Sequence, residues 1–352
     1  MGAARGKSQV LTSVTIIGGG IFGLACAWEL VQRGARVRVI EAERIGAGSS
    51  GGHVGALAPH APDNWNPKKA FQLDSLLMAP GFWAGVENAS GLPSGYARTG
   101  RLQPLADTAA AERLGDRIAA AENRWPEGCA MHLTDRHQCD LMPRSPSGHW
   151  LFDGLTARLS PRAAGVALAA AIHNRGGEIV EGQQPGPLSG PVLWATGTAG
   201  LTDLSRDLGR PIGKGVKGQS ALLRYAAPDA PQVFADGLHI VPHADGTVAV
   251  GSTSENDYGH LDTDDQIDAL IAKARAICPN LQDAPVIDRW AGARPRARTR
   301  APILGPWPGR PGHFVANGGF KIGFGMAPKV AQVMADLILD GHDAIPDGFR
   351  LT

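Results

Sequence analysis

The sequence predicts an α/β protein organised around a parallel sheet, and three observations carry that reading. A short apolar run at residues 14–17 (VTII) passes directly into a glycine-spaced turn and then into a segment of helical periodicity. An alternating segment at 36–40 follows and ends on an acid, Glu41. Far downstream, residues 191–197 (PVLWATG) and 318–341 repeat the pairing of an apolar strand or turn with a helix.

Each element has a local reason. The run at 14–17 has the character of a strand buried on both faces of a parallel sheet. Gly18, Gly20 and Gly23 fit G-x-G-x-x-G. The first glycine allows the tight turn, the second lets backbone approach a pyrophosphate, and the third lets helix pack on strand. Ile21, Leu24, Ala25, Trp28 and Val31 recur at helical spacing, and Gly34 supplies the stop. Glu41 stands 23 residues after Gly18, where a carboxylate accepts hydrogen bonds from a ribose diol and repels a 2′-phosphate. The combination points to a dinucleotide rather than to a glycine-rich turn of an unrelated α/β protein. NAD and FAD both remain open from this stretch alone.

Three later segments favour flavin. Residues 44–59 (RIGAGSSGGHVGALAP) form a loop of small residues, with Ser49 and Ser50 available to a diphosphate and a flat ring, where an NAD domain proceeds to another helix and strand. The strand at 191–197 follows a helix with Ser160 as N-cap, Pro161 first and Gly176 as stop. At the C-terminal end, Val330, Val333, Met334, Leu337 and Ile338 form one apolar stripe behind a glycine turn, giving a second positive helix end. Between these parts, residues 237–253 predict a hairpin around Ala244-Asp245-Gly246. Residues 262–280 predict a helix with Ile267, Leu270, Ile271, Ala274 and Ile277 on one face.

A chain of 352 residues accommodates two domains. With 34 Lys plus Arg against 33 Asp plus Glu, whole-chain charge points to neither nucleic acid nor membrane. The four cysteines lack CxxC spacing, which favours free thiols, and no metal site is expected. No apolar run reaches membrane-spanning length, and residues 1–9 (MGAARGKSQ) lack the apolar centre of a secretory signal, so the expected location is cytoplasmic.

The segments IIGGGIFG, GAGSSGG…GALAP, VKGQ, HIVPHADGTVAVGST, WAGARPRARTRAPILG and the terminal glycine turn occur in an order that resembles the D-amino-acid oxidase (DAO) superfamily, nearest its glycine oxidase and sarcosine oxidase branches. The resemblance implies a Rossmann-like FAD-binding domain from residues 1–80, 148–215 and 295–352. It implies an interleaved substrate domain on a mixed or antiparallel sheet from 81–147 and 216–294. FAD contacts are implied for Gly18, Gly20, Ile21, Phe22, Gly23, Glu41 and Ala42 in the first unit, and for Ser49, Ser50, Gly52, His53 and Val54 in the loop after it. They are implied also for Val180, for Ala195, Thr196 and Gly197, for Arg294, and for Gly319 through Met326 (Gly319, Phe320, Lys321, Ile322, Gly323, Phe324, Gly325, Met326). The family's longer meander before residue 192 is reduced here to EGQQPGPLSG, which implies a trimmed domain with adenine nearer solvent. No cysteine follows Cys278, so non-covalent FAD is expected.

The same resemblance makes Arg294 the carboxylate-binding arginine and Lys321 a basic residue over the flavin face. Arg294, Arg296, Arg298 and Arg300 alternate, so a continuous strand would put all four on one face, inviting a substrate with more than one acidic group, or a phosphate. The plainer alternative is a solvated turn with the arginines splayed apart. His53 lies in the small-residue loop, and His239 stands where relatives carry a tyrosine. Thr299 replaces a frequent acid. The implied function is oxidation of the C–N bond of a small carboxylated amine by hydride transfer to flavin, with oxygen or another acceptor taking the electrons. Three alternatives share the residues. One is a 2-hydroxy-acid oxidoreductase with His53 or His239 as base, and another is a tRNA wobble-uridine oxidase-like enzyme. The third is a flavoprotein that does not turn over.

Overall fold

The computed structural model describes residues 12–135 and 138–351, so the N-terminal segment 1–9 lies outside the described residues. In chain order the strands are β1 (Ser13–Ile17), β2 (Arg36–Ile40), β3 (Ala56–Leu57), β4 (Arg101–Pro104), β5 (Met131–Thr134), β6 (Trp150–Asp153), β7 (Ala157–Arg158) and β8 (Glu178–Val180). They continue as β9 (Val192–Trp194), β10 (Gly213–Arg224), β11 (Gln232–Ala235), β12 (Leu238–Pro242), β13 (Thr247–Gly251), β14 (Val286–Ala297), β15 (Ile303–Pro306) and β16 (His313–Asn317). The helices are α1 (Ile21–Gln32), α2 (Pro67–Ser90), α3 (Thr108–Glu112), α4 (Gly115–Glu122), α5 (Pro161–Asn174), α6 (Gly197–Asp207), α7 (Gln266–Ile277) and α8 (Gly323–Ala335).

Two large sheets result. The first has the order β15-β16-β9-β1-β2-β8 and is parallel except for the β15–β16 pair. Its central strand β1 buries Val14, Ile16 and Ile17, as strands covered on both faces must. Ten of the twelve residues of α1 are buried, because α5 and α8 pack against the helix that the first glycine turn launches. The long α2 lies over α5 and α8, capped by the Asn66 side chain accepting from the Lys69 amide (3.1 Å), with Pro67 at its first position. Trp28 and Trp83 are fully enclosed in this core.

The second sheet has the order β14-β10-β13-β12-β11-β4-β6-β5 and is antiparallel except where β11 meets β4. The expected hairpin is β12–β13, in register from His239↔Gly251 to Pro242↔Val248. The expected helix is α7, which buries Ile267, Leu270, Ile271 and Ala274 against this sheet. Two details differ from the sequence reading. β6, placed with the first domain by a boundary at 148, pairs β4 and β5 in the second sheet. α2 runs unbroken across the boundary at 80.

The turn after β1 explains the glycine spacing sterically. A Cβ on Gly23 would stand 2.0 Å from the Gly18 carbonyl oxygen, and Gly18 itself has φ +110. Gly23→Ala therefore forces the helix off the strand. The expected cost is about 1–3 kcal/mol of overpacking, read as a lowered Tm, with any nucleotide site at this turn weakened as well. Gly81→Ala, on α2 with no atom within 4 Å of the added carbon, is expected to affect neither.

Candidate active site

β16, β9 and β1 are neighbours, and each ends in a turn that starts a helix: α8, α6 and α1. The carboxyl ends of adjacent parallel strands are where open α/β sheets bind ligands. Here they place three positive helix ends side by side. The amides of residues that open a helix precede its first intrahelical bond. In α8 that first bond is Met326 N–H to the Ile322 carbonyl (3.0 Å), so the amides of Gly323, Phe324 and Gly325 stand before it. Met326, implied as an FAD contact by the resemblance, stands apart from these three: its amide is already bonded and its side chain is buried.

A cavity of about 1020 Å³ is lined both by these helix ends and by residues of the second sheet, at the top of the roughly 300–1,000 Å³ range of ligand sites. Gly18, Gly20, Ile21, Phe22, Glu41 and Ala42 line its first end, and Ser49, Ser50, Gly52, His53 and Val54 the adjoining loop. Ala195, Thr196 and Gly197 line the floor, with Gly319, Phe320, Lys321, Ile322, Gly323 and Phe324 at the far turn. Gly23, Val180, Gly325 and Met326 are not on its wall. Gly23 packs on the Gly18 carbonyl instead. The Val180 carbonyl accepts the Glu41 amide (2.8 Å) within the sheet, and Gln183, Gln184 and Pro185 of the short exposed segment form the wall there.

The first end suits a dinucleotide. Glu41 accepts the Gly19 amide (2.6 Å) on one oxygen and the Glu43 amide (3.0 Å) on the other. A carboxylate has about four lone-pair sites, so capacity remains for a diol. The Ser50 hydroxyl accepts the Ile21 amide (3.0 Å), serving as the cap that Gly20 lacks. Gly52 approaches the Trp290 ring so closely that a Cβ would stand 3.1 Å from it. Trp290 thus walls the cavity, a role that its sequence position does not announce.

The second end is cationic. Arg294 on β14 is buried, and its guanidinium donates to the Ser252 hydroxyl, the Thr253 carbonyl (2.6 Å) and the Lys217 carbonyl (3.3 Å). No carboxylate pairs with it among the described residues, its Nε has no partner, and burial lowers its pKa to about 10. Behind it, the buried Lys217 ammonium binds Asp264 (2.8 Å) and Glu255 (3.2 Å), and Gln219 bonds both acids. That network fixes the segment that supplies Ser252 and Thr253. Phe320 has φ +43 and donates its amide to the Pro295 carbonyl (3.0 Å), so its ring lies beside Arg294, Arg296 and Lys321. The Lys321 ammonium is held below the ordinary lysine range by burial and then by Arg294.

Both candidate histidines line the cavity. His239 is pushed down to about 3 by burial, with Arg101 and Lys321 adding to the effect. His53 is also lowered by burial, and both its ring nitrogens are engaged, with Ser220 (3.1 Å) and Asp288 (3.1 Å). The arginine run follows the plainer of its two readings, with the side chains splayed apart. β14 ends at Ala297, Arg298 reaches toward Pro211, and Arg300 turns into the left-handed region at φ +57. Only Arg294 of the four lines the cavity; Arg296 binds Asn256 (2.8 Å) outside it. Thr299 bonds its own turn at Ala301. Among the described residues no acidic, histidine and cysteine cluster could hold a metal, and no helix is long and apolar enough to cross a membrane.

Comparison with known proteins places these features. Residues 13–337 match the family described as DAO, FAD dependent oxidoreductase. The glycine oxidase of Geobacillus kaustophilus is 25% identical over 371 residues, covering 92% of each chain. The bifunctional protein ThiO/ThiG of a Nostoc species is 31% identical over 357 residues, covering 93% of this chain and 52% of its own length. The chain thus spans about half of that relative. The crystal structure of the Geobacillus glycine oxidase superposes with a TM-score of 0.83 at 23% identity, covering 96% of this chain and 98% of that one. Iminodiacetate oxidase from a Chelativorans species superposes at 0.82 and 20% identity, with the same coverage. At these identities the superpositions speak for the fold.

The loop carrying His53 is tied to β12 by His243, whose Nε2–H donates to the His53 carbonyl (2.9 Å). Burial lowers the His243 pKa from 6.5 to about 4. The unfolded chain therefore binds the extra proton between those values. Stability is full above pH 6.5 and falls toward pH 4 by about 3 kcal/mol from this group, with His239 acting in the same direction. Thermal unfolding from pH 7.5 to 4.5 is expected to show that decline, and His243→Gln to reduce it, leaving the share of His239.

Proposed function

Since the chain belongs to the FAD-dependent oxidoreductase (DAO) family, we propose that it oxidises the C–N bond of a small carboxylated amine, an amino acid or N-alkyl amino acid. Supporting this reading, relatives matched over almost their whole length are named glycine oxidases. The observation that carries it is Arg294, a buried guanidinium facing the cavity with no carboxylate of its own. A fixed cation of that kind fits a substrate carboxylate.

The residues present fit FAD, held without a covalent bond. In this reading Glu41 takes the ribose diol, and the openings of α1 and the Ser49–Ser50 turn take the diphosphate. The amides of Gly323 and Phe324, on the cavity wall at the opening of α8, would meet the ring's polar edge, where a helix N-terminus favours negative charge. Bound FAD supplies the two-electron sink, accepting hydride at N5 from the substrate carbon. Arg294 grips the carboxylate and fixes which C–H bond is presented, and Lys321 and the Phe320 ring close the same end. Trp290 and the Gly52 loop keep water from that end.

The low basicity of His239 favours an amine over a 2-hydroxy acid that would use it as base. A neutral amine gives up hydride with its own lone pair assisting, loses its N–H proton to solvent, and leaves an imine that water cleaves to oxo acid and amine or ammonia. An alcohol needs a base, and a His239 imidazole at about pKa 3 serves poorly. The near-zero net charge gives a tRNA substrate no basic footprint. Oxygen or another electron acceptor then takes the electrons.

The test is anaerobic mixing of the yellow protein with glycine, N-methyl amino acids, D-amino acids, cyclic imino acids and hydroxy acids. Bleaching by at least one carboxylated amine is expected. Bleaching by hydroxy acids alone, or by nothing in the panel, would sink the proposal. Arg294→Met is expected to keep the flavin while kcat/KM falls by roughly 100-fold or more, in line with about 2–5 kcal/mol for removing one partner of a buried charge pair. Unchanged kinetics would contradict the role given to Arg294.

A further inference from the structure

The proposed reaction needs an outlet for a proton, and three side chains lead from the cavity to the surface. Alkylammonium groups titrate near about 10, so an amine arrives protonated at neutral pH. Only the neutral amine has the lone pair that assists loss of hydride. In that reading Trp290 and the Gly52 loop keep water out, which leaves the proton to protein groups. His239, Gly251, Ser220 and Trp290 pair in one row across β12, β13, β10 and β14, and all of them line the cavity. Gly251 precedes Ser252, whose hydroxyl accepts from Arg294. Ser220 therefore stands one strand from the place given to the substrate carboxylate.

The Ser220 hydroxyl meets His53 Nδ1 (3.1 Å), and His53 Nε2 meets Asp288 Oδ2 (3.1 Å). Asp288 is held below the usual carboxylate range: burial opposes this, and its bonds to Arg162 and His53 outweigh it. An ionised carboxylate only accepts, so Nε2 carries the ring proton and Nδ1 accepts from the serine. The His53 side chain is 2% exposed and that of Asp288 is 40% exposed. Ser220 and His53 are on the cavity wall, and Asp288 is not. The three groups thus begin at the cavity and end in solvent. Two clamps hold them. Arg162 on α5 donates to Asp288 (2.6 Å) and to the Gly51 carbonyl (2.8 Å), and His243 on β12 donates to the His53 carbonyl (2.9 Å). Asp288, Arg162 and His243 are the charged or titratable groups facing His53. Burial lowers the His53 pKa against the pull of Asp288, so the ring rests neutral and passes a proton rather than storing it.

We propose that Ser220, His53 and Asp288 form a proton relay that converts the bound ammonium group to the neutral amine and delivers its proton to water. This rests on the amine-oxidising reading above. The ammonium N–H gives its proton to Ser220 Oγ as the serine proton moves to His53 Nδ1 and the Nε2 proton moves to Asp288 and on to solvent. The substrate then loses hydride as a neutral amine. The acceptor that finally takes the hydride takes one proton with it, so one proton leaves and one enters in each turnover. The entering proton travels the same three groups inward and restores the Nε2–H tautomer. Ser220 is the catalytic residue, and His53 and Asp288 act through it.

The relay is read first without turnover, from the ring-nitrogen NMR signals of the histidines, with His53 identified by the signal lost in His53→Gln. At pH 7 the ring is expected to be neutral with its proton on Nε2, and Ser220→Ala to shift the Nδ1 signal. A proton on Nδ1 in wild type, or an Nδ1 signal that Ser220→Ala leaves in place, overturns the proposal. The second measurement is the rate of flavin reduction by an amine without oxygen, from pH 6 to pH 10. Ser220→Ala and Asp288→Asn are expected to hold FAD and to slow reduction by about 10-fold or more at pH 7. They are expected to converge with wild type near pH 10, where much of the amine arrives neutral. His53→Ala is expected to be slow at pH 7 and to recover with added imidazole. A purely structural defect would persist at pH 10 and ignore imidazole. Either of those results, or variant rates within about 2-fold of wild type at pH 7, overturns the relay. Should no amine bleach the flavin, the ring signals decide alone: the linked signals leave the proton path standing, and the amine reading is what fails.

Discussion

Three adjacent parallel strands, β16, β9 and β1, deliver three helix N-termini to one line, and the rest of the site depends on that coincidence. Each helix brings about half a positive charge and several unbonded amides to its start. Placed together they form an anion-binding ridge that no single loop could provide. The cost is close packing, since backbone must pass backbone at the turns. Gly23 against Gly18 and Gly18 against Ala195 absorb it, each leaving less room than one methyl group. Asn317 completes the join, donating to the Gly197 carbonyl (2.8 Å) and accepting the Gly318 amide (2.7 Å), so β16 and the opening of α6 move as one piece.

The second sheet adds what the ridge lacks, a fixed cation under cover. Burying a guanidinium without a carboxylate costs energy unless its hydrogen bonds are met. Here Ser252, Thr253 and the Lys217 carbonyl meet most of them, and the depressed pKa records the remaining penalty. The Lys217–Glu255–Asp264–Gln219 network makes this tolerable by fixing the segment that offers those acceptors. A negative ligand group at Arg294 would relieve the penalty, which ties the instability of the empty site to the affinity of the filled one.

Features dictated by the backbone were legible in the sequence. The glycine spacing, the acid after the second strand, the hairpin at Asp245-Gly246 and the terminal turn into α8 each leave a local trace, and each lies where that trace puts it. Features created by distant contacts were not. α2 continues through Pro80, which sequence logic treats as a stop. Arg101 reaches the cavity only because β4 pairs with β11, more than a hundred residues later. Lys217 reads as a strand lysine until Glu255 and Asp264 arrive beside it. The arginine run left two readings open, because alternation implies one face only while the strand lasts, and the strand ends before Arg298. Glycine-rich loops gave the reverse problem: they marked Ser50 as a phosphate contact, while its hydroxyl also caps α1.

The central claim is that a bound flavin and the Arg294 guanidinium share one enclosed space, so that a carboxylate on the arginine lies against the cofactor. The direct measurement is a difference spectrum of the purified yellow protein on adding a carboxylate that cannot be oxidised, for wild type and for Arg294→Met. The account predicts a saturable shift of the visible flavin band in wild type and none in the variant. A colourless protein that takes up no FAD, or the same shift with and without the arginine, would contradict it.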